Sequence, residues 1–318
     1  MQDITLRQLQ MLSATAQHRS LAGAAASLHV TGPAIAQQLR LLEKRVGMAL
    51  LERRADGLHP TQAGRALLGC AHRVEREIQA VADELESLRS STTGHVVLGA
   101  VSTAKYFTPR IIAAYRRAHP GISVQLVVGN RAETVAALED YAIDLAIMGR
   151  APSTLGVVDE AFGDHPYVVI AAPDHPLVGT RVSVARLSEE MFLLREPGSG
   201  TRIHAEALIA AAGLPMRVEM EMSSNETIKQ AVMAGLGVAL ISAHTIAAEL
   251  EDGRVAVLDV EGLPIRRQWR AVRLASREPS PAMSSLWDFI ASQGGALLPA
   301  EPAAPGSPGA GRPVGSRR

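Results

Sequence analysis

Three short polar clusters stand directly before stretches of helical periodicity: Ser102-Thr103, Gly198-Ser199-Gly200-Thr201 and Ser223-Ser224-Asn225. Taken singly, each is a routine helix cap, because a hydroxyl or amide oxygen there accepts a bond from a free backbone N–H. Taken together they suggest another chemistry. Three helix N-termini turned into one crevice present free N–H groups and the positive ends of helix dipoles, which is an anion site. Lys105, Asn130, Arg131, Arg150, Arg202 and Lys229 lie in or beside the same loops. Of 32 basic residues only three are lysine, and two of those, Lys105 and Lys229, fall here. The candidate ligand set is therefore Ser102, Thr103, Lys105, Asn130, Arg131, Gly198, Ser199, Thr201, Arg202 and Asn225. A phosphorylated or carboxylated metabolite is its natural partner.

Catalytic chemistry is not indicated. Gly198-Ser199-Gly200 is not the G-x-S-x-G elbow of a nucleophilic serine, and no Asp/His pair is identifiable by spacing. The ten histidines are scattered without metal-ligand spacing. Cys70 is the single cysteine, which excludes an internal disulfide and a zinc site built on several cysteines. No glycine-rich dinucleotide fingerprint or triphosphate loop is present. The chain reads as a non-enzyme without metal or resident cofactor.

A second constellation lies near the N-terminus. Ser20 caps a short helix in which Leu21, Ala24, Ala25 and Leu28 share one face. After the corner His29-Val30, Thr31 offers a second cap and Pro33 suits a first turn, with Ile35, Leu39, Leu42 and Val46 forming the next apolar stripe. Two helices with facing stripes and a short turn make a helix-turn-helix, although any all-helical domain can contain such a pair. Leu50–Arg53 and Leu58–Thr61 read as strands around Ala55-Asp56-Gly57, which makes a wing. Residues 1–65 carry eight basic and four acidic side chains in a chain of net charge zero, so the positive excess is local, as phosphate contacts require. Thr31, Pro33, Gln37, Gln38 and Arg40 lie opposite the core stripe and are the candidate DNA contacts, joined by Arg53 and Arg54 on the wing. Arg40 suits a guanine edge or a phosphate; Gln37 or Gln38 can read adenine or remain solvated. Arg53 and Arg54 suit backbone or minor-groove contacts, or pair with Glu52.

The elements that must position these residues follow in order. Leu6, Leu9, Leu12 and Ala16 stripe a first helix. From Gln62 a long helix capped by Thr61 places Ala71, Val74, Ile78, Val81, Leu85 and Leu88 in heptad steps; Val74, Ile78, Val81, Leu85 and Leu88 are the candidate dimer seam. The alternative is one amphipathic helix packed on its own domain. Ser90 to Gly94 reads as a hinge. Beyond it β-branched runs, among them Val96–Val101, Ser123–Val128, Asp144–Met148 and Tyr167–Ala171, alternate with helical stretches, the pattern of a mainly parallel sheet with helices on its faces. The expected layout is a winged helix-turn-helix at 1–65, a linker helix and hinge at 66–93, and a two-lobed ligand domain at 94–298. Its first lobe is expected at about 94–165 plus 270–298 and its second at about 166–269, with a disordered tail at 299–318. No apolar run reaches the ~18 residues of a membrane span, and the expected compartment is the cytoplasm.

These residues resemble the LysR-type transcriptional regulators. The resemblance rests on LRQLQML, AAASLHVTGPAIAQQLRLLEKRVGMALLER and HPTQAG in the N-terminal part. Further on, VSTAKYFTPR, VGNRAETVAAL, DLAIMGR, LREPGSGTR and SSNETIKQAVMAGLGVALI are similar to the subgroup controlling ribulose-bisphosphate carboxylase and Calvin-cycle operons. The resemblance implies an α/β chain with an N-terminal winged helix-turn-helix, a dimerising linker helix and an effector domain folded like periplasmic solute-binding proteins. It implies a homodimer or homotetramer on double-stranded DNA that activates an operon through RNA polymerase, responding to a phosphorylated sugar or a nucleotide. Where the family has Thr-Gln-Pro or Ser-Gln-Pro, this chain has Thr31-Gly32-Pro33, and Ala36 replaces a common Ser or Thr. Regulation of an unrelated metabolic operon, or a solute sensor acting by protein contact alone, are the other readings.

Overall fold

The computed structural model describes residues 4–87 and 93–301, excluding the side chains of residues 80 and 83–87. The side chain of Leu85, the whole of Leu88, most of the expected hinge and residues 302–318 of the expected tail thus lie outside the described residues. Two compact units are present: Met1–Thr93 with Ala137–Ile143, and Gly94–Ala136 with Asp144–Arg318.

The first unit contains α1 (Leu6–His18), α2 (Leu21–Ser27), α3 (Gly32–Val46), the hairpin β1 (Leu51–Arg54) and β2 (Gly57–Pro60), and α4 (Gln62–Ser87). Thr5 and Gln8 form a capping box on α1, Ser20 accepts from Gly23 N at 3.0 Å, and Thr61 accepts from Gly64 N at 3.0 Å. Thr31 occupies the cap position of α3, but its hydroxyl bonds no backbone N–H. Leu12, Ala24, Ile35, Leu42 and Leu50 are fully buried in one core. Because α1 is packed by α2, α3 and α4, its buried face is wider than the expected stripe: Gln8, Met11 and Thr15 are buried while Leu6 is exposed. The Gln8 amide is accommodated by bonds to Gln38, Arg45 and Thr5 N. Gly57, at φ +129°, lets the wing close on α1; a Cβ there would stand 2.5 Å from the Arg19 carbonyl oxygen, which accepts from Leu58 N at 2.8 Å.

The second unit runs β3 (Gly94–Val101), α5 (Thr108–Ala118), β4 (Ile122–Gly129), α6 (Arg131–Glu139), β5 (Leu145–Met148), β6 (Val157–Ala171), β7 (Arg181–Val182), α7 (Val184–Ser188), β8 (Met191–Arg195) and α8 (Gly200–Ala211). It continues with β9 (Arg217–Met222), α9 (Asn225–Met233), β10 (Ala239–Ser242), α10 (Ala247–Glu251), β11 (Ala256–Val257), β12 (Asp259–Val260), β13 (Ile265–Leu274) and α11 (Pro281–Gln293). The main sheet has the order β10-β6-β13-β5-β3-β4, with β11 also on β6. β3 pairs in parallel with β4 and β5, whereas β13 pairs antiparallel with both β5 and β6.

β6 departs from the sequence expectation, which starts a strand only at Tyr167. Gly163, Asp164 and Pro166 are turn residues by composition, yet the β13 ladder, from Ile265 opposite Tyr167 to Leu274 opposite Val157, carries the strand through them. The expected lobe boundary at 165/166 therefore falls inside a continuous strand. Phe162 is the extra residue where the register shifts beside Trp269 and Arg270. Further along β6, Tyr167, Val169 and Ala171 enter one core with α8, while Val168 and Ile170 enter another with α9. Burial on both faces is why this stretch reads as unbroken apolar sequence.

Candidate functional site

α3 turns Ile35, Leu39 and Leu42 inward, and the opposite side presents Pro33, Gln37, Arg40 and Lys44 at steps of four, three and four, all exposed. Thr31 is exposed just before them. Arg40 has no ion-pair partner among the described residues, so its guanidinium is available to a phosphate or base edge. Gln38 does not share this face: it accepts from Gln8 Nε2 at 3.0 Å and ties α3 to α1. On the wing, Arg54 Nε donates to Glu52 at 2.9 Å, whereas Arg53 is exposed without an ion pair among the described residues. Arg19 and His59 both bind Asp56, at 2.8 Å each, and the His59 hydrogen bond does most to lower the carboxyl pKa. Lys44, counted in the sequence only as charge, belongs to the exposed face.

In the second unit the end of β3, the starts of α6 and α8, the end of β5 and the middle of β6 surround a cavity with about 560 Å³ of space between atoms, part of it open to solvent. Of the candidate ligand residues, Ser102, Thr103, Arg131, Ser199 and Thr201 line it. Thr103, Ser199 and Thr201 are buried, and their hydroxyls have no hydrogen-bond partner among the described residues. The same holds for the Tyr167 hydroxyl, which burial keeps protonated by pushing its pKa up. Arg131 donates to the carbonyls of Arg150 and Ala151, the latter at 3.4 Å, and has no carboxylate partner among the described residues. Its positive charge is therefore not neutralised by a carboxylate among the described residues.

Three ring-bearing residues missed in the sequence also line it: His165, Tyr167 and His204. His165 is buried and stacks on Trp269 at 3.6 Å, and neither ring nitrogen has a partner among the described residues. Burial, with His244 and His204 nearby, holds its pKa well below the usual imidazole value, so the ring is neutral. A Cβ on Gly149 would stand 2.6 Å from His165 Nδ1, so only glycine lets backbone and ring approach this closely. His204 is also pushed down, by burial and then by Arg267, Arg150 and Arg131. One signal was available: His204 follows Thr201 by three residues, on the same face of α8.

Other candidates are turned elsewhere. Asn130 caps α6, accepting from Glu133 N at 3.0 Å, and Gly198, at φ +88°, accepts from Ala132 N at 3.3 Å. Lys105 lies over the Tyr106 ring at 5.2 Å, and Arg202 pairs with Glu206 and Glu221. Lys229 is buried between Glu226 and Glu249 at 3.0 and 2.9 Å, because a desolvated ammonium needs compensating charge. Asn225 stands behind the cavity, bonded to Arg195 and to the Ser102 carbonyl, so the third polar cluster does not line it. Arg195, buried at the end of β8, also donates to Ser102 Oγ at 3.2 Å and pairs with Glu196 at 2.7 Å. It stands at the end of an apolar strand run, where nothing in the sequence marks it as a hub. Among the described residues no cluster of His, Cys, Asp or Glu could hold a metal, and no helix is long and apolar enough to cross a membrane.

An exposed recognition helix with a wing and a polar cavity in an α/β unit are thus found in one chain. Residues 6–65 match the bacterial regulatory helix-turn-helix proteins of the lysR family, and residues 89–295 match the LysR substrate binding domain. The chain belongs to the LysR family of transcriptional regulators. Among LysR relatives it is 45% identical over 305 residues to the HTH-type transcriptional regulator CbbR of Xanthobacter flavus, covering 95% of this chain and 92% of that protein. It is 42% identical over 291 residues to the RuBisCO operon transcriptional regulator of Allochromatium vinosum, covering 91% and 96%. The regulatory domain of Synechocystis PCC6803 CcmR, solved in complex with 2-PG, superposes with a TM-score of 0.61 at 34% identity, covering 63% of this chain and 96% of that one. These relatives are transcriptional regulators, not enzymes. The LysR assignment makes residues 6–65 a DNA-binding helix-turn-helix and residues 89–295 an effector domain of the periplasmic-binding-protein type. At Gly32 nothing lies within 4 Å of where a Cβ would be, so a side chain can start there without a clash.

Proposed function

We propose that this LysR regulator controls carbon-fixation genes, including those of ribulose-bisphosphate carboxylase, in response to a small anionic metabolite such as a phosphorylated sugar or a nucleotide. The observation that carries the ligand reading is the cavity. Four hydroxyls, those of Thr103, Ser199, Thr201 and Tyr167, meet there without hydrogen-bond partners among the described residues, beside Arg131, which faces no carboxylate among them. Neutral donors with one cation suit a phosphate oxygen cluster, and α8 adds free N–H groups at its start. The genetic target is supported by the CbbR and RuBisCO operon relatives, and the ligand class by the 2-PG complex of CcmR.

In this reading residues 1–65 read DNA, 66–93 dimerise, 94–298 sense the effector, and 299–318 form a tail. Thr31, Pro33, Gln37, Arg40 and Arg53 contact the operator. Ile78 and Val81, 50% and 54% exposed on α4, are covered by a second copy, and a homotetramer in the cytoplasm recruits RNA polymerase as an activator. The test is fluorescence anisotropy of the full chain on its upstream intergenic DNA against shuffled DNA at two salt concentrations, with and without phosphorylated sugars and nucleotides. Selective binding altered by such a metabolite is the expected result. Selective binding that no metabolite alters removes the ligand class, and equal affinity for shuffled DNA removes the operator reading.

A further inference from the structure

In a helix-turn-helix the N-terminal residues of the second helix reach the base edges. In α3 that half consists of Gly32, Pro33, Ala34, Ile35, Ala36, Gln37 and Gln38. The first five have no side chain that hydrogen-bonds. Base readout here falls to two adjacent carboxamides, and their surroundings differ.

Gln38 is committed inside the protein. Gln8, 2% exposed on α1, accepts through Oε1 from Thr5 N at 3.3 Å and from Arg45 Nη1 at 3.1 Å. A backbone N–H and a guanidinium only donate, so these two bonds fix which end of the Gln8 amide is oxygen. Its Nε2 therefore faces Gln38, 3.0 Å away, and Gln38 meets it with the carbonyl oxygen. A carboxamide reads adenine by accepting from N6–H and donating to N7 together. With its oxygen consumed, Gln38 cannot make that pair. Gln37 is exposed, and its amide has no hydrogen-bond partner among the described residues. Its acceptor and its donors are both open to a base.

We propose that Gln37 reads an adenine of the operator, and that Gln8 excludes Gln38 from this role by fixing the polarity of its amide. This rests on the reading of the upstream intergenic DNA as the operator and names one base contact within it. The same amide could instead meet a phosphate oxygen, but such a contact would be indifferent to base chemistry.

The test pairs a protein substitution with the removal of one DNA atom. The upstream intergenic fragment is prepared with adenine or with 7-deazaadenine, which replaces the N7 acceptor by C–H and leaves the Watson–Crick edge intact. Both are titrated with the full chain by fluorescence anisotropy. The wild-type chain is expected to bind the 7-deazaadenine fragment at least ~5-fold more weakly, the lower end of what a bidentate base contact contributes, with no such difference on shuffled DNA. In Gln37→Ala the two intergenic fragments are expected to bind equally. In Gln38→Ala the difference is expected to persist while the thermal unfolding midpoint falls, because the Gln8 amide loses a buried partner. A wild-type chain indifferent to 7-deazaadenine, a Gln37→Ala chain still sensitive to it, or a sensitivity abolished by Gln38→Ala overturns the adenine contact. Equal wild-type affinity for natural intergenic and shuffled DNA overturns the operator reading beneath it, and the proposal with it.

Discussion

The outer face of α3 and the cavity of the second unit both present polar groups without partners among the described residues, yet they arise in opposite ways. Pro33, Gln37, Arg40 and Lys44 come from a single helix, and their alignment follows from residues per turn alone. Thr103, Arg131, Tyr167, Ser199 and Thr201 come from four segments across about a hundred residues, and only the sheet order brings them together. On the helix face a side chain can change with its neighbours undisturbed. In the cavity every polar group is also a buried group whose protonation and position depend on what packs behind it.

The sharpest way to break this contrast is to strike the support of each region. Leu42→Ala removes a fully buried side chain behind the α3 face and is expected to cost about 2–5 kcal/mol in unfolding free energy, read by urea denaturation of the first unit. If DNA affinity falls while stability is unchanged, Leu42 is not a support but a contact.

Behind the cavity, His244 accepts from Trp269 Nε1 at 2.9 Å, and burial depresses its pKa from 6.5 to about 4. Both folded and unfolded chains hold this ring neutral above pH 6.5, so its stability contribution is complete there. Between 6.5 and 4 the unfolded chain binds a proton that the folded one refuses, and stability falls with pH by ~3 kcal/mol in all. His165 acts in the same direction. His244→Gln keeps an acceptor for Trp269 and is expected to flatten this slope by one proton in denaturation at stepped pH. An unaltered slope would mean that the ring titrates normally.

On the exposed face the effects are those of single contacts. Arg40→Ala is expected to lose about 1–3 kcal/mol of preference for operator over shuffled DNA. Arg40→Lys separates its two roles: a phosphate contact keeps its affinity and salt dependence, whereas a bidentate base contact loses its selectivity. Gly32→Gln fills open space at the start of α3. It is expected to raise DNA affinity by about 1 kcal/mol, from helix propensity and a restored amide. An unchanged affinity would show that the operator of this protein makes no use of that position.

Legibility in the sequence follows the same division. The helix-turn-helix could be read because its apolar residues recur every three or four positions, and its outer face is what remains. Gln38 is the exception, since its direction depends on a buried Gln8 that no periodicity announces. β6 was cut short because Gly163, Asp164 and Pro166 speak for a turn locally and the β13 ladder overrules them. In the cavity, Ser102, Thr103, Arg131, Ser199 and Thr201 could be named because polar residues before helices are conspicuous. His165 and Tyr167 could not, because an aromatic pair inside a strand looks like core. Lys229 misled for the same reason in reverse: a rare lysine near a polar loop invites a ligand, while its ammonium is enclosed by Glu226 and Glu249.

The wing offers the finest comparison, between adjacent arginines of one strand. Arg53 and Arg54 alternate across β1, so their side chains leave on opposite sides. Arg54 is held by Glu52, but both partners are about half exposed, and an ion pair of that kind contributes ~0–1 kcal/mol to stability. On DNA the pair must either open or carry a carboxylate toward the phosphates, and both reduce what Arg54 contributes. Arg53 pays neither cost. Arg53→Ala is therefore expected to lower affinity for all DNA alike and to reduce the salt slope by about one counterion, with Arg54→Ala having less than half that effect. Glu52→Gln releases Arg54 and is expected to bring the two arginines level in the same anisotropy titration. If Arg54→Ala is already the costlier substitution with Glu52 in place, the ion pair orients Arg54 for the phosphate instead of withholding it, and the availability of a charge on this surface cannot be judged by whether it has a partner.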